Sequence, residues 1–118
     1  MTDNRQDELS LSELCITGLP SELIENLRTI FSGFSSIKQV KLYGSRAKGT
    51  FRHGSDIDLT FVGSINHDQL MDIDVLIDDL FTPYSFDLSI LFEIDNAELL
   101  QHIERVGLVI YSSRTFSE

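Results

Sequence analysis

The chain has 118 residues, 42% of them hydrophobic and 24% charged, and a formal net charge of −10 at pH 7. That length allows one domain with one modest core, and that composition excludes a disordered chain. So negative a protein repels phosphate backbones at long range, which argues against general DNA or RNA binding.

No apolar run reaches the length of a membrane span, because Asp, Glu or Gly interrupts each one. The opening residues, Met1 to Glu8, are polar and mostly acidic, unlike a signal or transit peptide, so a cytoplasmic protein is expected. Cys15 is the only cysteine, which rules out an internal disulfide and a thiolate metal cage. It reads as a small, half-buried hydrophobe.

Residues 1–10 lack apolar periodicity and are expected to be loose. Leu11, Leu14 and Ile16 suggest a short turn or docking segment. From Pro20 the pattern is helical: Leu23, Leu27, Ile30, Phe31 and Phe34 form one apolar stripe, with Pro20 in the first turn and Gly33 as the stop. Gln39 to Tyr43 reads as a strand, with Val40 and Leu42 on one face and Lys41 and Tyr43 on the other. A short helical turn follows over Ser45 to Lys48, then a second strand over Asp56 to Val62. Asn66 and Gln69 make a capping box for a helix carrying Leu70, Ile73, Leu76, Ile77 and Leu80, which Pro83 ends. Tyr84 to Phe92 is a third strand. Asp95 with Glu98 suggests a second capping box, opening a helix through Leu99, Leu100, Ile103 and Val106 to Gly107. Leu108 to Tyr111 is a final strand, and residues 112–118 read as a loose tail. The domain is thus expected over residues 11–111, as an α+β fold with a small mixed sheet and helices packed on one face.

The chemistry gathers in Gly44 to Leu59. Strand side chains alternate, so Asp56, Asp58 and Thr60 share one face while Ile57, Leu59 and Phe61 share the other. On a strand rising ~3.3 Å per residue the two aspartates lie ~6.6 Å apart, a spacing that can converge on hard divalent cations. Alone, two such carboxylates are also an ordinary solvated edge. Gly44 permits a tight turn after the preceding strand, and Ser45 then stands at the start of a helical turn, where free N–H groups attract anions. Ser45 there is equally a plain N-cap. Phe86, Leu88 and Ile90 form one apolar face of the third strand, which puts Asp87 and Ser89 on the other. Asp87 would join the two aspartates if the strands are neighbours, and their mutual repulsion would call for a cation. Lys38, Lys41, Arg46, Lys48 and Arg52 surround the Gly-Ser turn, a local positive patch suited to a small anion. His53 can reach a phosphate; His67 and His102 read as helix-surface residues, and Tyr43, Tyr84 and Tyr111 as packing residues.

This constellation resembles the nucleotidyltransferase superfamily that includes DNA polymerase β, and within it the minimal nucleotidyltransferases. Their pattern is Gly-Ser, ten residues, Asp-x-Asp and a later acidic residue; here Gly44-Ser45 and ten residues precede Asp56-Ile57-Asp58, with Asp87 as the third carboxylate. The resemblance runs from the first helix to Tyr111 and implies a palm-like fold. It implies two Mg²⁺ ions (Mn²⁺ being possible) held by Asp56, Asp58 and Asp87, and ATP as the nucleotide donor. Gly44 and Ser45 would grip the β- and γ-phosphates, with Arg46, Lys48 and Arg52 as candidate phosphate partners, and Asp87 would also activate the acceptor. The resemblance further implies a small helical partner, either a substrate-binding subunit or a HEPN-type toxin that the nucleotidyltransferase AMPylates as its antitoxin. Two other readings stay open: a non-catalytic module that caps a helical partner, and a transferase acting on a small molecule.

Overall fold

The computed structural model describes residues 8–113. A 3-10 turn over Glu13–Thr17 leads into helix α1 (Ser21–Ser32), strand β1 (Ile37–Tyr43), the short helix α2 (Ser45–Lys48) and strand β2 (Ile57–Gly63). Helix α3 (His67–Asp78) then crosses to strand β3 (Phe86–Ile90), a 3-10 turn covers Leu91–Glu93, and helix α4 (Ala97–Val106) precedes strand β4 (Leu108–Ser112). The four strands form one mixed sheet in the order β3-β2-β1-β4. β1 is antiparallel to β2 and β4, whereas β2 and β3 run parallel, the pairing that needs a crossover such as α3.

The apolar stripe of α1 and the inward residues of α3 cover one face of the sheet. Leu23, Ile24, Leu27 and Phe31 of α1 and Ile73 and Ile77 of α3 join Val40, Leu42, Ile57, Leu59 and Phe61 in one buried cluster. At its centre the Phe31 ring meets Phe61 edge-on at 5.4 Å and Tyr111 at 5.7 Å. The expected α+β architecture is therefore the observed one.

Several boundaries differ. β1 begins at Ile37 rather than Gln39, because Ile37 pairs with Gly63 across a register shift. β3 is shorter than the expected Tyr84 to Phe92: after Ile90 the chain leaves the sheet in a 3-10 turn and exposes Phe92. The capping box of Asn66 and Gln69 is present in full. Asp95 and Glu98 make no such box. Asn96 is the N-cap instead, its side-chain oxygen accepting Leu99 N–H at 2.9 Å, which puts Glu98 one position too early to reach back.

The ends of the described chain are tied down. Leu9 N–H donates to Val109 O, Ser112 N–H donates to the Glu8 carboxylate, and the Arg28 guanidinium donates to the carbonyls of Ile110 and Leu9. Ser113 N–H donates to Lys38 O at 2.8 Å, so hydrogen bonding continues past Tyr111. The rest of the expected loose ends, residues 1–7 and 114–118, lie outside the described residues. Among the described residues no helix is long and apolar enough to cross a membrane.

Candidate active site

On the sheet face turned away from α1 and α3, cross-strand pairing sets the polar residues in rows. Tyr43 of β1 pairs with Asp58 of β2, and Asp58 pairs with Asp87 of β3. The next row is Lys41, Thr60 and Ser89. Directly paired residues share a face, so the parallel β2–β3 register brings Asp58 and Asp87 together as the strand patterns suggested. Asp56 stands just before β2, exposed.

Burial raises the Asp58 carboxyl above the usual carboxylate range, and the negative charges of Asp87 and then Asp56 push it further in the same direction. Two neighbouring carboxylates therefore act on Asp58 here. Tyr43 responds to the same field. Burial raises its phenol first; a hydrogen bond with the Ser89 side chain pulls the other way, and the charges of Asp87 and Asp58 add to the rise. Tyr43 is thus a neutral phenol in the carboxylate row, a neighbour of the site as well as a packing residue.

The Gly-Ser turn touches this row directly. Gly44 has φ 80° and ψ −158°, and a Cβ on it would overlap Asp58 Oδ2. Only glycine adopts that conformation without strain and lets the backbone come so near a carboxylate. This contact explains why a Gly-Ser turn and an Asp-x-Asp strand belong together in one motif. Gly44 N–H donates to His102 Nε2 at 3.1 Å, so what Gly44 offers a ligand is close approach rather than a free donor. Ser45, half-exposed, begins α2.

The basic residues part company. Lys48 and Arg52 are exposed beside the turn. Arg46, a candidate phosphate partner by sequence, is 4% exposed. Its Nη1 donates to Thr17 O at 3.0 Å and its Nε to Ser55 O at 3.4 Å. Its guanidinium lies 4.8 Å from the Phe51 ring centre and 5.1 Å from that of Tyr84. Arg46 thereby ties the 3-10 turn, the loop before Asp56 and the segment before β3 into one support. A cavity of about 420 Å³ opens beside it, lined by Phe51, Arg52, His53, Ser55, Tyr84 and others.

His102 departs from its expected place on a helix surface. It is half-buried, and its ring meets Tyr43 edge-on with the centres 6.2 Å apart. No signal in the sequence marks it, since its partners lie 58 and 59 positions earlier in the chain.

Among the described residues no group of three or more His, Cys, Asp or Glu forms a ready-made metal cage. The donor chemistry nonetheless fits a hard divalent cation. Asp58 and Asp87 are paired carboxylates in a field already too negative, and Mg²⁺ is ordinarily held by one or two carboxylates together with waters and substrate phosphates.

Comparisons with known proteins agree with this fold. No curated protein matches the chain. A chain in a crystal structure of a toxin–antitoxin with AMP-PNP superposes with a TM-score of 0.61 at 20% identity, over 81% of this chain and 76% of that one. A mutant toxin–antitoxin MntA-HpeT gives 0.55 at 18% identity, over 79% and 72%. A complex of tri-AMPylated Shewanella oneidensis HEPN toxin with MNT antitoxin gives 0.51 at 17%, over 84% and 71%. Likeness at these identities establishes a shared fold. The sequence model described as polymerase beta, nucleotidyltransferase, matches residues 25–115, which span every strand and all three aspartates. With its Gly-Ser turn pressed against the first carboxylate row, this chain belongs to the polymerase beta nucleotidyltransferase family.

Proposed function

We propose that the chain is a metal-dependent adenylyltransferase that moves AMP from ATP to a hydroxyl on a small helical partner protein, as the antitoxin half of a HEPN-type pair. The observation that carries this reading is the approach of Gly44 to Asp58 in a row shared with Asp87. A phosphate-binding turn and two carboxylates are then side by side, which nucleotide transfer requires and simple capping of a partner does not.

Asp56, Asp58 and Asp87 would hold the Mg²⁺ ions. Bound there, divalent cations supply charge neutralisation of the triphosphate and stabilise charge on the attacking and leaving oxygens. The chain's own groups do the rest. Ser45 offers its hydroxyl to the β- and γ-phosphates, and Lys48 and Arg52 offset phosphate charge from the exposed side. Asp87 accepts the proton of the acceptor hydroxyl as that oxygen bonds to the α-phosphorus; the bond to the β-phosphate oxygen breaks and pyrophosphate leaves. Arg46 acts at one remove, holding the loop that presents Asp56.

The partner assignment draws on the fold relatives, which are chains from toxin–antitoxin structures, one of them with an AMPylated toxin. It also draws on the surface of α3. Met71 and Val75, one turn apart, are 68% and 60% exposed, with Asp68, Asp72, Asp74 and Asp78 on the same helix. An apolar strip framed by carboxylates fits a helix with a basic rim. Association is therefore expected to slow as salt rises, measured as a rate series between this chain and the protein encoded next to it. A salt-independent rate would remove the charge-steering argument.

The reading is tested by incubating both proteins with Mg²⁺ and ATP and measuring their masses. Gain of AMP on the partner is the expected result; no gain on either protein overturns it, and transfer to a free small molecule replaces it with a stand-alone transferase. Mg-ATP is further expected to stabilise the chain by about 2.7 kcal/mol at ~100 times its dissociation constant, read as a rise in Tm. No rise at millimolar Mg-ATP would count against nucleotide binding.

A further inference from the structure

Gly44 N–H lies just beyond the sheet. The β1–β2 pairing ends at Tyr43 with Asp58, and the β1–β4 pairing ends at Leu42 with Leu108, so neither ladder supplies the next amide with an acceptor. His102 supplies one from α4, at 3.1 Å. Accepting at Nε2 requires the neutral ring with its proton on Nδ1. The same ring packs edge-on against Tyr43, and α4 is anchored beside it by Ile103, which is 2% exposed. One side chain thus braces two consecutive residues: Tyr43, in the carboxylate row, and Gly44, whose backbone abuts Asp58.

We infer that His102 is a positioning residue that fixes the orientation of the Gly44 peptide and so sets the Gly-Ser turn for the phosphates of the nucleotide. The inference rests on the proposed nucleotide-binding role of that turn. Its physical basis is the conformational freedom of glycine. At φ 80° and ψ −158° Gly44 has no side chain to restrict it; its carbonyl accepts Lys48 N–H at 3.2 Å, and the peptide on its other side is held by what the Gly44 N–H and Tyr43 contact. Once the His102 acceptor is lost, the peptide before Gly44 can rotate. Ser45 then no longer meets the phosphates in one fixed position, and affinity falls because the turn must be ordered at each binding event.

The test uses the full chain and three variants. His102→Leu removes the acceptor and keeps an apolar contact with Tyr43; His102→Phe does the same with a ring, should the leucine variant not fold. His102→Gln keeps a side-chain oxygen able to accept the Gly44 N–H. Amide exchange at Gly44 is followed by NMR, and Mg-AMP-PNP affinity by calorimetry. With Leu or Phe, Gly44 exchange is expected to speed up and affinity to fall about tenfold, the scale of one lost hydrogen bond. Gln should restore both to within about threefold. Unchanged Gly44 exchange with Leu or Phe overturns the inference, as does faster exchange with unaltered affinity, or failure of Gln to restore either. If the wild-type chain binds no Mg-AMP-PNP, the proposed function falls. Gly44 exchange then still decides, by the same criteria, whether His102 holds the turn.

Discussion

Asp58→Asn is expected to lose on the order of a thousandfold in nucleotide transfer while melting at a higher temperature than wild type in metal-free buffer at neutral pH. The amide is nearly isosteric with the carboxyl but carries no charge for a cation. Removing one such anchor forfeits about 4 kcal/mol of transition-state stabilisation, and each 1.36 kcal/mol is about tenfold in rate. The gain in stability follows from the field at Asp58. Burial, then Asp87, then Asp56 raise its pKa in the folded chain, so the folded state binds the proton more tightly than the unfolded state does. A group raised on folding contributes stability that is complete below its unfolded value, about 3.9, and is lost as pH rises through the folded value. Wild type should therefore lose the Asp58 contribution over that window and the variant has none to lose, so the gap between their Tm values widens with pH and then levels off. Added Mg²⁺ should narrow the gap by stabilising wild type alone. Paired Tm-against-pH curves, with a transfer assay, check all of this. An active variant, or a gap that narrows with rising pH, would show that Asp58 is not the charged centre of the site.

How far the sequence reveals this site depends on the range over which each relation acts. The faces of Asp58 and Asp87 are legible because strand alternation is local: Phe86, Leu88 and Ile90 fix that of Asp87, and Ile57, Leu59 and Phe61 fix that of Asp58, while the pairing of the two strands that brings them together comes from the fold. The helix stripe of Leu23, Leu27 and Phe31 is legible for the same reason. The second cap is missed by one position because Asp95 and Asn96 are both good N-caps, and only packing chooses between them. The third strand is read too long because Leu91 and Phe92 continue an apolar run although the chain has left the sheet. Arg46 and His102 are illegible for a different reason. A basic residue beside a glycine turn looks solvated, and nothing near it in sequence indicates that Thr17, Phe51 and Tyr84 will enclose it. His102 has polar and apolar neighbours alike on its own helix, Glu98 and Leu99 one turn before it and Arg105 and Val106 one turn after, so nothing there marks it, and its role comes from Tyr43 and Gly44, which the fold alone brings to it.

Gly44→Ala is expected to lower transfer about a hundredfold with a loss of stability too small to account for it. Two costs separate here. The backbone cost is that of a non-glycine residue at φ 80° and ψ −158°, about 1–3 kcal/mol, which a chain of this size survives. The local cost is the overlap of the new methyl with Asp58 Oδ2, which is relieved only by moving the Asp58 carboxylate or the turn itself. Either movement shifts the backbone of the turn and the carboxylate apart, and a displacement of about 1 Å at reacting groups costs roughly a hundredfold. Gly54→Ala isolates the first cost. Gly54 also has a left-handed backbone, with φ 90°, but nothing lies within 4 Å of where its Cβ would be. Gly44→Ala should lose more stability than Gly54→Ala in denaturant titrations by the local cost alone, and Gly54→Ala should keep far more transfer activity. A mild further change gives a second comparison: Asp58→Asn placed on Gly44→Ala should add little to the loss of transfer, because the alanine has already displaced the group that asparagine replaces. If the two losses multiply instead, Gly44 and Asp58 act independently, and the close contact between turn and carboxylate is not what the reaction uses.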